Sequence, residues 1–122
     1  KQDDGSDLFR RGIDALERLR TIDPPEQTVL LRNFPNPFNP ETWVPFELAD
    51  AADVTVVFYD ARGQVVRSLE LGAMAAGDYT TRGRAAYWDG RDNNGEQASS
   101  GVYFIEFRAG SYRETRRILL MK

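Results

Sequence analysis

The stretch VTVVFY, residues 54–59, decides the fold class of this 122-residue chain. Val54, Val56 and Phe58 occupy every second position in it. Because successive side chains of an extended strand point to opposite faces, a period of two brings these three residues onto one apolar face. Their β-branched and aromatic side chains also favour strands. We therefore predict a β-strand that buries one face in a core.

Similar short runs occur from residue 28 onward, separated by turn signals. We predict strands at 29–32, 44–48, 54–59, 65–71, 84–88, 102–108 and 112–121. The turn signals lie at 60–63, 76–78, 94–95 and 109–111. Pro45 cannot donate to a strand ladder, so we expect an edge or a bulge there. About seven short strands at this spacing predict an all-β antiparallel β-sandwich.

Residues 33–40, with the sequence NFPNPFNP, contain three prolines. Proline fixes its own backbone and restricts the residue before it, so we predict a rigid, ordered corner. Phe34 and Phe38 are placed to plug one end of the core.

The segment before residue 28 has a helical period instead of an alternating one. Its apolar residues recur on one face of a helix at Phe9, Ile13, Leu16 and Leu19. We predict an N-terminal amphipathic helix over 7–22 that packs on the sandwich, because both faces of the predicted strand at 102–107 are apolar. This divides the chain into 1–27, the N-terminal helix and linker, and 28–122, the sandwich domain.

The composition excludes several classes of function. The chain has no cysteine and no histidine, which rules out disulfides, thiolate metal sites and histidine acid–base relays. A net charge of −3 provides no broad positive field for nucleic acid. No run approaches the ~20 apolar residues of a membrane-spanning helix. We expect no cofactor, no nucleic-acid partner and no membrane span, and a leader peptide for export would lie upstream.

One cluster of oxygen-bearing side chains, between residues 89 and 96, allows three interpretations. Its members, Asp89, Asp92, Asn94 and Glu96, could bind a hard cation, but the spacing differs from that of an EF-hand loop. Two carboxylates could act as a glycosidase pair, although a turn offers no apolar pocket to separate their pKa values. Asp, Asn and Gly are also what a tight turn requires. We favour the turn, with no metal site and no catalytic residue.

Six segments of the chain, taken in order, carry a family resemblance. They are LLRNFPNPFNPETWVPFEL (30–48), VTVVFYDARGQVV (54–66), AGDY (76–79), YWDGRDNNGE (87–96), SGVYFIEF (100–107) and RRILLMK (116–122). Together they resemble the FlgD-like immunoglobulin-like domain, a C-terminal domain related to the flagellar hook-capping protein. In bacteria with a type IX secretion system, domains with this pattern are classed as type A C-terminal sorting domains.

The resemblance implies an immunoglobulin-like sandwich of about seven strands at the end of a larger exported protein. It implies a non-enzymatic domain that follows an upstream cargo domain, passes through the periplasm, and is secreted or held at the cell surface. Its protein partners would be the outer-membrane secretion machinery and the surface-anchoring machinery. The motif positions with a structural role are Asn36, Pro37, Phe38, Asn39, Pro40, Asp60, Gly63, Trp88, Asp89, Gly90, Gly95 and Gly101.

The last predicted strand carries the proposed sorting residues, because RRILLMK resembles the terminal motif of the family. A strand at a sheet margin can offer backbone groups and a basic cluster to a receptor. The residues are Arg113, Arg116, Arg117, Ile118, Leu120 and Lys122. A plainer interpretation is that Ile118 and Leu120 merely complete the core.

Two other functions stay open. One is a structural or adhesive module that bridges subunits, as in the hook-cap relatives. The other is a carbohydrate-binding appendage of a secreted enzyme, with an aromatic platform made of Tyr87, Trp88, Tyr103 and Phe104. Aromatic residues of a sandwich more often lie in its core.

Overall fold

Nine strands carry all the regular secondary structure of residues 23–122, the part of the chain that this computed structural model describes. They are β1 (Val29–Leu30), β2 (Thr42–Val44), β3 (Phe46–Leu48), β4 (Ala52–Asp60), β5 (Val65–Met74), β6 (Gly77–Tyr79), β7 (Ala86–Trp88), β8 (Gly101–Ala109) and β9 (Tyr112–Leu120). The predicted helix 7–22 lies outside the described residues, so its packing on the sandwich stays a prediction.

The strands form three antiparallel sheets. One has four strands in the order β5-β4-β8-β9, the second has the order β1-β3-β6, and the third pairs β2 with β7. Buried side chains from all three sheets form one core cluster, so the four-stranded sheet packs against the two smaller ones. The prediction of an all-β antiparallel fold is confirmed, with more and shorter strands than expected.

Pro45 explains why the single strand predicted at 44–48 is two strands. The chain pairs with β7 up to Val44 and with β1 and β6 from Phe46 onward. Pro45 has no N–H to leave unpaired, and its carbonyl accepts the Leu31 N–H at 3.0 Å. Instead of the expected edge or bulge, Pro45 marks a change of partner. β3 is the middle strand of its sheet, and β2 has β7 on one side and a bridge to Phe34 on the other.

One turn prediction is wrong. The signal at 76–78 lies largely inside β6, which pairs with β3 through Gly77, Asp78 and Tyr79. Tyr79 is buried, and its ring stacks on Phe46 with centroids 5.0 Å apart. This tertiary contact favours a short strand where the local sequence favours a turn.

Trp88 lies at the centre of the core and is fully buried. Its ring stacks on Phe58 of the four-stranded sheet, with centroids 4.3 Å apart, and contacts Phe38 and Tyr103 at 5.5 and 5.6 Å. The indole N–H donates to the carbonyl of Arg91 at 2.9 Å, which satisfies the one polar atom of the ring. One side chain thus joins both layers of the sandwich and the corner at 33–40.

The corner closes one end of the core, as predicted for Phe38, which is almost wholly buried. Phe34 does not plug the core; it is half-buried and stacks on Trp43. Inside the corner, the amide of Asn33 donates to the hydroxyl oxygen of Thr42 at 3.1 Å, and that hydroxyl donates to the carbonyl of Pro35 at 2.9 Å. These buried polar groups are therefore paired, and they hold the corner in one shape.

Gly90 lets the end of β7 approach the corner more closely than any other residue could. Its φ is +79°, and a Cβ built there would lie 2.3 Å from the carbonyl oxygen of Pro40. Gly95 has a similar φ of +85°, yet a Cβ there would meet nothing within 4 Å. Both positions favour glycine for backbone reasons, but only Gly90 is also limited by space.

We therefore expect Gly90→Ala to lower the free energy of unfolding more than Gly95→Ala. The left-handed backbone alone should cost Gly95→Ala about 1 to 2 kcal/mol. Overpacking against Pro40 should add about 1 to 3 kcal/mol in Gly90→Ala. Urea denaturation of the two variants measures the difference. Equal losses would mean that Pro40 moves aside freely.

Candidate functional site

β9 is an edge strand of the four-stranded sheet, with β8 as its one strand partner among the described residues. The corner covers the C-terminal part of its other edge. The Leu119 N–H donates to the Asn36 side-chain oxygen at 3.2 Å, and the Leu119 carbonyl accepts the Phe38 N–H at 3.0 Å. The Met121 N–H donates to the Phe38 carbonyl at 3.0 Å. This end of the edge is therefore sealed.

Among the described residues, 23–122, the preceding part of the β9 edge is open. In an antiparallel ladder, every second residue directs both backbone groups away from a given partner. Since Leu119 points away from β8 and the register with β8 has no shift, Arg113, Thr115 and Arg117 point the same way. Within residues 23–122 these backbone groups have no hydrogen-bond partner. Such an edge can accept a strand from another chain.

Side chains of β9 alternate between the core and the outside, and this alternation divides the six proposed sorting residues. Ile118 and Leu120 are 2% and 1% exposed, so they belong to the core and offer no contact surface. Arg113 and Arg117 are exposed on the outer face of the sheet. Lys122 follows the strand, is exposed, and its backbone N–H donates to the Ser100 hydroxyl at 3.0 Å.

Arg116 lies on the inner side of β9, so the three arginines do not form one basic cluster. Its terminal guanidinium nitrogen donates to the carbonyl of Leu30 in β1 at 3.0 Å. Its Nε is buried, with no hydrogen-bond partner among the described residues. Arg116 thus links the edges of two facing sheets, a structural role that the sequence alone did not indicate.

Glu106 on β8 engages Arg113 on the outer face of the four-stranded sheet. Its carboxylate accepts the Tyr59 hydroxyl at 3.0 Å and lies 3.0 and 3.6 Å from guanidinium nitrogens of Arg108 and Arg113. Burial of the hydroxyl, followed by its hydrogen bond to Glu106, raises the pKa of Tyr59 above its usual value. Arg113 is therefore part of a charged group on the outer face of the sheet.

The acidic cluster at 89–96 is a turn, as favoured from the sequence. One oxygen of Asp92 accepts the N–H groups of Asn94 and Glu96, both at 2.9 Å. Asp60 makes the same turn with the N–H groups two and four residues later. The hydrogen bond from the Gln64 N–H is the main cause that lowers the pKa of Asp60. Each turn uses its Asp oxygen for the backbone, as in other Asx turns.

The remaining motif residues support these turns and the corner. Asp89 accepts the Arg91 N–H and a guanidinium N–H of Arg67, both at 2.9 Å. The glycines at 63, 95 and 101 have positive φ. Among residues 23–122, no three acidic side chains converge on a position where they could hold a metal ion.

The four aromatic residues considered as a carbohydrate platform do not form one surface, and a different aromatic row is present. Trp88 and Tyr103 are buried, while the Phe104 side chain lies on the outer face of the four-stranded sheet. The row consists of Phe34, Trp43 and Tyr87, with centroid distances of 6.1 Å from the first ring to the second and 5.3 Å from the second to the third. Alternation in β2 and β7 places the last two on the outer face, a signal that sequence analysis missed.

Charged side chains flank this aromatic row. The guanidinium carbon of Arg82 lies 4.4 Å from the centroid of the Trp43 ring. At the other end, the hydroxyl of Tyr87, which is 43% exposed, donates to Glu41 at 2.6 Å. The row is thus a partly exposed aromatic surface, with a cation over the Trp43 ring and an anion beside Tyr87.

Comparison with known proteins assigns the chain to a family. The sequence profile of the family described as FlgD Ig-like domain matches residues 38–112, more than half of the chain. The chain belongs to this family. The resemblance seen in the sequence is therefore confirmed. The matched residues of this FlgD Ig-like domain include the turns, Trp88 and Gly90, and they end before all six proposed sorting residues.

Two solved structures are similar to this FlgD Ig-like domain. FlgD from P. aeruginosa is 30% identical over 60% of this chain and 54% of that chain, with a TM-score of 0.45. Dimeric latent PorU from Porphyromonas gingivalis is 18% identical over 83% of this chain and 10% of that chain, with a TM-score of 0.53, which shows a shared fold. The chain spans about half of the first protein and a tenth of the second. No curated protein sequence matches it.

The described part of the chain offers no candidate for a membrane-spanning helix. Residues 23–122 contain no helix long and apolar enough to cross a bilayer.

The placement of Arg116 and Arg117 on opposite sides of β9 yields a matched test. Arg116→Gln should lower the free energy of unfolding by about 1 to 3 kcal/mol, because it removes a charge-assisted hydrogen bond to Leu30. Arg117→Gln makes the same charge change on the exposed side and should alter stability by less than about 0.5 kcal/mol. Urea denaturation measures both. Equal effects would contradict a structural role for Arg116.

Proposed function

We propose that this FlgD Ig-like domain is a non-catalytic sorting and attachment module of a larger exported bacterial protein. The type IX secretion machinery recognises it, and a surface-anchoring machinery receives the upstream cargo that it carries through the periplasm. The product is secreted or held at the cell surface. The observation that supports this proposal is the half-open edge of β9 within residues 23–122, bordered by the exposed Arg117, with the exposed Lys122 just after the strand.

An open strand edge suits recognition of a sorting signal for a physical reason. Backbone hydrogen bonds to an added strand supply affinity that depends little on side chains, so one receptor can bind many related domains. Charged side chains beside the edge then set the register and orientation. The residues proposed for this contact are Arg117 and Lys122. Arg113 is engaged by Glu106 on the outer face, and Arg116, Ile118 and Leu120 maintain the strand.

The non-catalytic part of the proposal is supported by how the acidic side chains are used. Asp60, Asp89 and Asp92 accept hydrogen bonds that shape turns. Glu106 is engaged by a tyrosine and two arginines. A catalytic acid–base pair needs carboxyl groups whose surroundings separate their pKa values, and these four serve structural contacts instead.

A structural or adhesive module that bridges subunits would use the same open edge. The two functions differ in the partner and in the need for the secretion apparatus. The deciding experiment therefore has to compare delivery in hosts that differ only in that apparatus.

We expect the whole chain, fused behind an exported reporter, to reach the surface of a type IX-competent host and to stay in the periplasm of a translocon-deficient one. Arg117→Gln with Lys122→Gln should reduce delivery because it removes the charges beside the edge. The matched control is Arg62→Gln with Arg108→Gln, which makes the same charge change away from that edge and should be delivered normally. Protease accessibility of the reporter measures delivery.

Thermal melts of the purified double variants establish that each is folded. Periplasmic retention of the wild-type fusion in the competent host would refute the sorting function and favour the structural module. Equal loss in the recognition and control variants would refute the assignment of Arg117 and Lys122.

Carbohydrate binding is the second candidate, because the row of Phe34, Trp43 and Tyr87 is a partly exposed aromatic surface with charged side chains against it. Aromatic faces stack on the apolar faces of sugar rings, and the neighbouring Arg82 and Glu41 could bond to hydroxyl groups. This geometry fits an appendage of a secreted enzyme.

If that candidate is correct, the chain should be retarded in native gels that contain soluble glucan or galacturonan. Tyr87→Ala should abolish the retardation because it removes the most exposed ring of the row. Val65→Ala, which truncates a residue that is 52% exposed elsewhere, should leave it unchanged. Unretarded migration of the wild type in every gel would remove this candidate.

A further inference from the structure

A polar cleft of about 420 Å³ lies beside the open part of β9. It separates this strand from the segment that leads from β1 into the corner. The lining side chains include Arg32, Asn33, Asn36, Glu114, Arg116 and Arg117. Thr115, whose backbone belongs to the open edge, also lines the cleft. A free strand edge and three arginines therefore border the same space.

The cleft is positively charged in a chain whose net charge is −3. Glu114 is its one acidic lining residue among those described, and the Tyr112 hydroxyl donates to that carboxylate at 2.9 Å. An anion that enters the cleft therefore meets more positive than negative charge. Charge complementarity of this kind selects and orients a partner.

Arg116 lines the cleft, but its guanidinium group is already committed to the fold. Its terminal nitrogen is used by the Leu30 carbonyl, but its buried Nε has no partner within residues 23–122. Leaving a buried donor of a charged group unpaired costs free energy. Because this Nε is buried, an acceptor in the cleft does not reach it, so the exposed Arg32 and Arg117 are the arginines left to bind an anion there.

The corner limits what can enter. Because it already pairs with Leu119 and Met121, an added strand can extend along β9 only over the stretch 113–117. Such a strand would end beside Asn36, whose side-chain oxygen accepts the Leu119 N–H. The available edge therefore suits a short extended segment rather than a long strand.

We propose that this cleft binds a short, extended acidic segment of a partner protein. The segment adds a strand to β9 through the backbone of Thr115 and Arg117, and its carboxylate pairs with the guanidinium groups of Arg32 and Arg117. This inference rests on the proposed function only where it assigns the partner to the secretion machinery. Binding of an acidic segment in the cleft does not depend on which protein carries that segment.

The test uses the whole chain and two fluorophore-labelled peptides of eight residues. One alternates threonine and valine with a single central glutamate, and the other has glutamine in its place. Fluorescence anisotropy should show tighter binding of the glutamate peptide and a loss of this preference at high salt, because screening weakens the ion pairs. Equal binding of the two peptides would overturn the proposal.

Variants then locate the binding. Arg32→Gln with Arg117→Gln should weaken binding of the glutamate peptide by about 2- to 30-fold, as expected for two partly exposed ion pairs. The control Arg62→Gln with Arg108→Gln carries the same charge change and should bind as the wild type does. Equal weakening in both double variants would mean that net charge, rather than the cleft, attracts the peptide, and would overturn the proposal.

The peptide result and the delivery result are separable. Periplasmic retention of the wild-type fusion would refute sorting while the peptide measurement still decides the cleft. Delivery that survives Arg32→Gln with Arg117→Gln, in a variant that no longer binds the peptide, would overturn the assignment of the cleft's partner to the secretion machinery.

Discussion

The indole of Trp88 lies between Phe58, on the four-stranded sheet, and Phe38, in the proline-rich corner. Through these two contacts it sets where the corner sits relative to the sheet. The backbone of Phe38 is then placed to pair with Leu119 and Met121 at the end of β9. Gly90, two residues after the indole, permits the close approach to Pro40 that this arrangement needs. The sealed half of the β9 edge is thus a consequence of core packing.

The unsealed half of that edge is what makes β9 a candidate for recognition. Open edges favour unwanted strand pairing, and proteins usually limit them with charges or coverings. Here the corner covers one part, and arginines flank the other. The same charges that discourage pairing with neutral strands favour an acidic one, so protection and recognition have a common physical basis.

The basic residues of β9 illustrate how strand alternation separates chemistry that is adjacent in sequence. Arg116 and Arg117 are neighbours in the chain, yet one bonds to β1 between the sheets and the other is exposed. A substitution of both would mix a loss of stability with a loss of contact surface. The family match, which ends at Tyr112, covers neither residue, so their roles depend on the geometry of β9 itself.

The sequence by itself determined the strand pattern, the two Asp turns and the buried end of the corner. These follow from local rules: alternation in VTVVFY, backbone hydrogen bonds of Asp60 and Asp92, and proline stiffness around Phe38. Alternation also predicts that Ile118 and Leu120 share a buried face. Each of these features depends on residues close in sequence, so the local sequence pattern is sufficient to predict it.

Only the tertiary structure decided which strands are partners and what lies beside the last one. The strand at Gly77–Tyr79, the change of partner at Pro45 and the row of Phe34, Trp43 and Tyr87 all depend on pairing between distant segments. The bond from Arg116 to Leu30 joins residues 86 positions apart. No local pattern encodes such contacts, because they arise when two sheets bury their apolar faces against each other and so bring remote edges together.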